Sequence, residues 1–396
     1  MSTSAVTVDS RRALFAAIAL SAVSILIFNA LPVVMGVASD HLLLTAEQMG
    51  LLASAELGGI GLVATSGFWW IRRVSWRKAS AAGLLVMAAG NLLSISMNSG
   101  VELIALRFLV GLLGEGVVFT IAMATIGDAR NPDRAFALSI VGQVGLGMLA
   151  LWAFPLIALS LGYAGVMGTM VVLALLSLTL LQWLPRGGEK PQPDSSQTLD
   201  SDTRAAFTTP LFGLIAIVFW FVGLSGIWAF VERVGLLVGL SQTTVGSLLA
   251  LGLGAGVLGS LLAAWVGDRY GRLWQPPAAV GGHVLMCLLF TWQLNAPIYA
   301  ALVLGFTFVW NVGLPYLLGL IADSDTSGRL VVLIVSAQAL GNTLGPLAAG
   351  AVVEDHGLQA VGMSSAFFCT LSLLFLGLFV SRCRARLGFP MHAPGT

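Results

Sequence analysis

Apolar residues fill most of this chain in runs of about 20, and short polar segments separate the runs. A helix needs about 20 mostly apolar residues to cross the hydrocarbon core of a bilayer. On that rule the pattern predicts twelve membrane-spanning helices. They cover residues 13–36, 49–71, 79–97, 101–127, 135–160, 163–184, 209–234, 243–266, 274–293, 297–322, 330–353 and 360–381.

The first apolar run follows Arg11 and Arg12, as the core of a secretory signal would. It is longer than the roughly 7–15 residues of such a core, so we expect an uncleaved first membrane helix.

A long polar segment, residues 185–208, separates six spans from the other six. It is rich in Pro, Ser, Asp and Gly and cannot bury enough apolar surface to fold alone, which predicts a flexible linker. The expected domains are a six-helix bundle at 1–184, the linker at 185–208 and a second six-helix bundle at 209–396. The linker is either plainly solvated or brings its acids to the basic loop at 72–78; these acids are Glu189, Asp194, Asp200 and Asp202.

The composition agrees with a membrane protein, because 57% of the residues are hydrophobic and only 9% are charged. Soluble globular chains carry about 25% charged residues. A net charge of +1 gives no electrostatic support for a nucleic-acid partner. The three cysteines, Cys287, Cys369 and Cys383, lie in predicted spans or just past the last one, so neither a disulfide framework nor a metal site is expected, and no cofactor is predicted.

The Lys and Arg residues lie mostly in particular loops and at the two ends of the chain. Apart from Arg107 and Arg233, every Lys and Arg lies in the amino terminus, an even-numbered loop or the carboxyl terminus. Since an excess of Lys and Arg marks the cytoplasmic side, we expect both termini and the linker to be cytoplasmic. Short loops favour a bacterial inner membrane.

The two sets of six spans repeat each other. Matching residues recur at offsets of 195 or 196: Gly58 with Gly254, Arg73 with Arg269, Asp128 with Asp323, Arg134 with Arg329, and Gln143 with Gln338. Matching charges at matching loops indicate two copies of a six-helix unit in the same membrane orientation. Parallel repeats of this kind place a substrate site near the midplane, between the halves.

Three short motifs carry a family resemblance: Gly267-Asp268-Arg269-Tyr270-Gly271-Arg272 after the eighth span, Arg107 and Gly111 in the fourth, and Gly341, Gly345 and Pro346 in the eleventh. With the twelve spans and the repeat, the chain resembles the major facilitator superfamily of secondary transporters over roughly residues 13–382. The resemblance implies an all-α membrane fold of two parallel six-helix repeats. It also implies alternating access, with an acid such as Asp268 in a charge relay at the cytoplasmic gate.

The first half departs from this gating motif, because Arg72 stands where the second half has Asp268. The fifth span also lacks the Gly-Pro pair that drug antiporters of the superfamily usually carry there. This weakens, but leaves open, an efflux pump for drugs or metabolites.

Ionisable groups inside a bilayer are costly and therefore functional candidates. Glu56 and Arg107 lie at matching depths, ~10 Å and ~9 Å below the outer ends of their helices, so we expect them to pair. The pair is either a structural salt bridge or a proton switch in which Glu56 takes up a proton when Arg107 changes partner. Glu115 has no obvious cation at its depth and is either a proton carrier or a hydrogen-bonded structural acid.

Glu232 and Arg233 lie near the outer end of the seventh span. Adjacent helical residues point about 100° apart, so we do not expect them to be mutual partners. Arg233 either forms part of an outer gate or contacts an anionic substrate, or its side chain extends to the membrane–water interface. His283, alone in the ninth span, is expected to be structural.

In the superfamily, helices 1, 4, 7 and 10 line the central cavity, with help from helices 2, 5, 8 and 11. The resemblance therefore implies these substrate-contact candidates: Asn29, Gln143, Trp228, Trp310, Asn311, Gln338 and Asn342. For the glutamines, helix-to-helix hydrogen bonding is the alternative.

The sequence thus predicts a monomeric, multi-pass transporter of a small organic solute, coupled to protons through Glu56, Glu115 or Glu232, and not an enzyme. No nucleotide-binding loop is present in the sequence to support direct ATP drive. A sensor without transport is disfavoured by the intramembrane acids and the gating motif. A membrane-embedded enzyme is disfavoured because the sequence shows no nucleophile with a base partner.

Overall fold

The computed structural model describes residues 10–188, 203–269, 271–292, 294–325, 330 and 333–387. It divides the chain into two compact units, Met1–Ser195 and Ser196–Thr396. The division falls within the segment predicted to be a linker. The four acids of that segment lie outside the described residues.

Helices make up the regular structure of the described part of the first unit. They are α1 (Arg11–Leu42, interrupted at Ile25), α2 (Ala46–Trp70), α3 (Trp76–Ser94), α4 (Gly100–Asp128), α5 (132–161) and α6 (163–178, continued by a 3₁₀ turn at Thr179–Trp183). Gly162 separates α5 from α6 with a φ of 63°, a conformation that side chains with a Cβ rarely adopt.

The second unit is also helical wherever it is described. Its helices are α7 (Thr203–Leu237), α8 (Gln242–Val266), α9 (Gln275–Leu289), α10 (Ala296–Ser324), α11 (Leu333–His356) and α12 (Ala360–Leu387). Each of the twelve predicted spans therefore overlaps one helix.

Eight helical stretches of the described chain are long and apolar enough to cross a membrane, and one of them, Pro132–Trp183, holds both α5 and α6. Helices α3, α9 and α11 fall outside that set; α9, for example, has 15 residues. Polar side chains mark several helix starts. Thr45 forms a capping box at α2, and Ser241 and Asn295 cap α8 and α10.

Glycines bring α2 and α4 into backbone contact in the first unit. A Cβ added at Gly59 would lie 2.6 Å from the carbonyl oxygen of Phe108, and one added at Gly111 would overlap the carbonyl oxygen of Glu56. Small residues allow this close approach in membrane helices. It places the side chains of α2 beside those in the middle of α4.

In the second unit, α7 packs against α11 and α12, and α8 packs against α10. Ser225 of α7 donates to the carbonyl oxygen of Gly341 in α11 at 3.2 Å, and Ser372 of α12 donates to Ala216 of α7 at 2.7 Å. Between α8 and α10, Thr307 donates to the carbonyl oxygen of Gly252 at 2.5 Å. Buried hydroxyls thus satisfy backbone acceptors across helix interfaces.

Candidate functional site

Arg107 of α4 lies at the centre of a buried charge cluster in the first unit. Its guanidinium forms an ion pair with Glu56 of α2, which confirms the predicted pairing. The same nitrogen, Nη2, lies 3.5 Å from Oε1 of Glu115. The side chains of Arg107, Glu56 and Glu115 are 3%, 0% and 1% exposed. The cluster therefore holds two carboxyl groups on one cation, away from solvent.

The expectation that Glu115 has no cation near it is wrong, and a π turn explains the error. Helix α4 contains one π turn, Gly111–Glu115, between two α-helical segments. Glu115 follows Arg107 by eight residues, which would separate the two by about 80° around a regular α-helix. The extra residue of a π turn reduces this to about 20°, so both side chains lie on one face.

Asn91 of α3 completes the cluster, and nothing in the sequence pattern marks it as a member. Its Oδ1 accepts a hydrogen bond from Nη1 of Arg107 at 2.6 Å. Within the described chain, three polar atoms here have no hydrogen-bond partner: Oε2 of Glu56, Oε2 of Glu115 and Nδ2 of Asn91. Buried polar atoms are rarely left so, and an orphan carboxyl oxygen is a place where a proton can be held.

One phenol borders the cluster from α6. Tyr163 is 5% exposed and lies near Arg107 and Ser94 of α3. The ring of His41 stacks on Tyr163 with centroids 4.9 Å apart. The arrangement thus brings two carboxyl groups, a guanidinium, an amide and a phenol together in a buried place.

Arg272, in the motif that follows α8 and for which the resemblance implies a gating role, forms two ion pairs. The guanidinium of Arg272 contacts Asp268 at 3.1 Å and Asp323, at the end of α10, at 2.7 Å. Gly267 and Gly271 adopt positive φ values of 51° and 80°, which the tight turn requires. Tyr316 of α10 also reaches this turn, since its hydroxyl lies 3.0 Å from the carbonyl oxygen of Gly267.

The first unit has a related contact built from different residues. Arg72 makes two hydrogen bonds of 2.9 Å to the carboxylate of Asp128, at the end of α4. Asp128 and Asp323 are the acids that the repeat predicts to match. The arginine that replaces the missing motif acid thus joins the loop after α2 to the end of α4, as Arg272 joins the loop after α8 to the end of α10.

The start of the predicted linker packs on the same loop of the first unit. The backbone N–H of Trp76 donates to the carbonyl oxygen of Arg186 at 3.0 Å, and Arg77 donates to that of Leu184. A Cβ at Gly188 would overlap the guanidinium of Arg72. Residues 184–188 therefore cover the Arg72–Asp128 ion pair.

Three of the predicted substrate-contact amides are engaged in helix-to-helix bonds. Asn29 donates to the carbonyl oxygen of Gln143 at 3.2 Å, and Gln143 donates to Ser21 at 3.3 Å, so both residues join α1 to α5. Asn311 accepts from Ser260 at 3.3 Å and donates to the carbonyl oxygen of Thr307 at 2.9 Å.

The other candidates lie in the second unit. Gln338 and Asn342 are four residues apart on α11 and half-buried, and their side chains make no hydrogen bond to any described residue. Trp310 of α10 packs edge-on against Phe221, with centroids 5.7 Å apart, and its Nε1 has no partner in the described chain. Trp228 is 7% exposed. Among these candidates, Gln338, Asn342 and Trp310 retain unused hydrogen-bonding groups.

The expectation that Glu232 and Arg233 are not partners is wrong. Nε of Arg233 lies 3.2 Å from Oε2 of Glu232. Both side chains are long enough to bend across the angle between adjacent helical positions. His283, expected to be structural, is fully buried, and its ring nitrogens lie 2.9 Å and 3.0 Å from the carbonyl oxygens of Ala279 and Phe306.

Comparison with protein families gives one match that covers most of the chain. The model of the Major Facilitator Superfamily matches residues 13–324. No curated protein sequence matches the chain.

Solved structures with a similar fold include a D-xylose-proton symporter, with 15% sequence identity, a TM-score of 0.74 and coverage of 93% of this chain and 98% of that one. A bacterial homolog of the human lysosomal transporter Spinster has 14% identity, a TM-score of 0.72 and coverage of 97% and 98%. The nucleoside transporter NupG has 13% identity, a TM-score of 0.71 and coverage of 93% and 98%. At these identities the likeness shows the fold, which is that of a multi-pass membrane protein.

Proposed function

We propose that this chain, which belongs to the major facilitator superfamily, is a secondary active transporter that moves a small organic solute by alternating access and couples the movement to protons. The family match carries the transporter class. The buried cluster of Glu56, Arg107 and Glu115 is the observation that carries proton coupling. The membrane is proposed to be a bacterial inner membrane, with both termini on the cytoplasmic side.

The cluster suits proton coupling for a physical reason. Charged groups at this depth in a bilayer cost at least ~2.5–3.5 kcal/mol each, so a structural role alone would be served more cheaply by apolar side chains. A carboxyl group that can exchange its interaction with Arg107 for a proton links protonation to the arrangement of α2 and α4.

The solute is proposed to be polar with an apolar body, and to contact the second unit. Trp310 offers a ring face and an indole N–H, while Gln338 and Asn342 offer amides on one face of α11. A sugar and nucleosides, named for two structures of similar fold, belong to this chemical class. Efflux of a drug or metabolite in exchange for protons is the alternative, and it uses the same groups.

Thermal-shift screening of the purified protein with sugars, nucleosides, organic acids and cationic drugs would identify the solute, because a ligand stabilises the state that it binds. The solute found is then tested in proteoliposomes with and without an imposed pH gradient. The proposal predicts gradient-dependent flux, and a KM that rises several-fold in Gln338→Ala and Asn342→Ala. Flux that does not respond to the gradient would contradict proton coupling.

A further inference from the structure

The net charge of the buried cluster in the first unit can be counted from its members. Glu56 and Glu115 are acids and Arg107 is a base, and all three side chains are at most 3% exposed. With both acids ionised, the cluster would carry one uncompensated negative charge, which an apolar environment strongly disfavours. One bound proton makes the cluster neutral.

The neighbours provide no other charge to balance it. Asn91, from α3, is neutral and uses its oxygen to accept from Arg107. Tyr163, from α6, is a phenol near Ser94, and His41, from α1, stacks on that phenol but is itself exposed to solvent. Within the described chain, the proton must therefore reside on one of the two glutamates.

The geometry makes the two glutamates alternatives for this proton. Both approach the same nitrogen, Nη2 of Arg107, and each has its second oxygen, Oε2, without a hydrogen-bond partner in the described chain. Glu56 makes the closer contact, and Glu115 is turned toward Arg107 by the π turn. When the proton moves from one carboxyl group to the other, the cluster stays neutral and Arg107 moves to the acid that has become ionised.

We propose that Glu56 and Glu115 share one exchangeable proton, so that the carrier is the pair and neither residue by itself. This inference deepens the proposed function and rests on it, because the role of the proton in driving transport comes from that proposal. It has a consequence that a single carrier lacks. Glu56→Gln and Glu115→Gln each leave one acid against one base, which is a neutral pair with no exchangeable proton. The two substitutions therefore have the same effect.

Infrared difference spectroscopy between high and low pH tests this on the purified protein in lipid, without a solute. The wild type is expected to show a pH-dependent carboxylic acid C=O band. The frequency of this band should shift when the protein is made with isotopically labelled glutamate. The band should be lost in Glu56→Gln and equally lost in Glu115→Gln. Glu102→Gln is the matched control, because Glu102 is exposed at the outer end of the same helix, and this variant should keep the band at full amplitude.

A single-glutamine variant that keeps the band at wild-type amplitude would overturn the shared proton. If a single variant does not fold, the double variant Glu56→Gln with Arg107→Gln provides the test. It leaves Glu115 without a cation, so the difference between isotope-labelled and unlabelled protein should show its carboxylic acid C=O band at high and at low pH alike. Absence of that band at either pH would overturn the proposal. Failure of the proposed function would look different, since the band would behave as expected while flux ignored the pH gradient.

Discussion

Replacing Arg107 with methionine removes the cation of the buried cluster and keeps a long apolar side chain in its place. Glu56 and Glu115 would then face each other without the guanidinium that both contact. In the wild type, one bound proton and Arg107 together balance the two acids. Without Arg107 the remaining carboxylate has no cation, so the variant must take up a second proton that the wild type does not need.

The size of the effect follows from the ordinary pKa of glutamate, about 4.3. Placing an added proton on a carboxyl group at pH 7 costs about 1.36 kcal/mol per pH unit over ~2.7 units, or about 3.7 kcal/mol. This lies within the roughly 3–5 kcal/mol expected when one partner of a buried ion pair is removed.

The loss should depend on pH in a fixed direction. In the folded variant the carboxyl group is protonated, whereas in the unfolded chain it is ionised above its ordinary pKa, so the folded state binds more protons. Lowering the pH therefore stabilises the variant relative to the wild type, by about 1.4 kcal/mol per unit down to about pH 4.

Equilibrium unfolding in mixed micelles at several pH values would measure this. Arg73→Met is the control, because Arg73 is exposed and its side chain makes no ion pair with a described residue; it should change stability by less than about 0.5 kcal/mol at every pH. A loss below about 1 kcal/mol for Arg107→Met at pH 7, or a difference that stays constant as the pH falls, would refute the charge balance described for the cluster.

Two further substitutions test the packing around the site. Gly111→Ala should destabilise the protein by about 1–3 kcal/mol, because the new methyl group overlaps the backbone of α2. The control Gly145→Ala, in open space on α5, should be neutral or stabilising by up to about 1 kcal/mol. Equal effects of the two substitutions in thermal unfolding would contradict the close contact of α2 and α4. Asp128→Asn should lower the free energy of unfolding by about 1–2 kcal/mol, which is less than for a fully buried pair because its partner Arg72 is 28% exposed. The control Asp133→Asn, at an exposed position, should be nearly neutral. Equal denaturation midpoints for the two variants would show that the Arg72–Asp128 ion pair contributes nothing measurable to stability.

The helices were predictable because a bilayer permits few alternatives. Each span must satisfy its own backbone hydrogen bonds across a fixed thickness, so length and hydropathy locate it. The pair of Glu56 and Arg107 was predictable for a similar reason, since two opposite charges at one depth in hydrocarbon are expected to find each other.

The third member of the cluster was not predictable from spacing. Glu115 follows Arg107 by eight positions, which places the two on different faces of a regular helix, and the sequence does not mark the π turn that brings them onto one face. Asn91 was missed because an amide on a neighbouring helix has no charge to match. The contact of Glu232 with Arg233 was missed because helical angles describe Cβ directions, while long side chains bend.

The hydrogen bonding of the amide side chains was also not predictable from the sequence. Gln143 and Gln338 occupy matching positions in the repeat, yet the side chain of Gln143 bonds to α1, whereas the side chain of Gln338 makes no hydrogen bond to a described residue. The difference arises because Ser21, the acceptor for Gln143, lies on the facing helix. A repeat in sequence therefore does not guarantee a repeat in hydrogen bonding.

The most direct test of the central claim compares two modes of transport in proteoliposomes, once a solute is identified. The wild type should accumulate solute against its gradient when a pH gradient is imposed, and should also exchange labelled for unlabelled solute with no gradient. Glu56→Gln and Glu115→Gln should both lose accumulation and keep exchange, with Glu102→Gln behaving as wild type. Accumulation that survives in both glutamine variants would contradict proton coupling through the buried cluster.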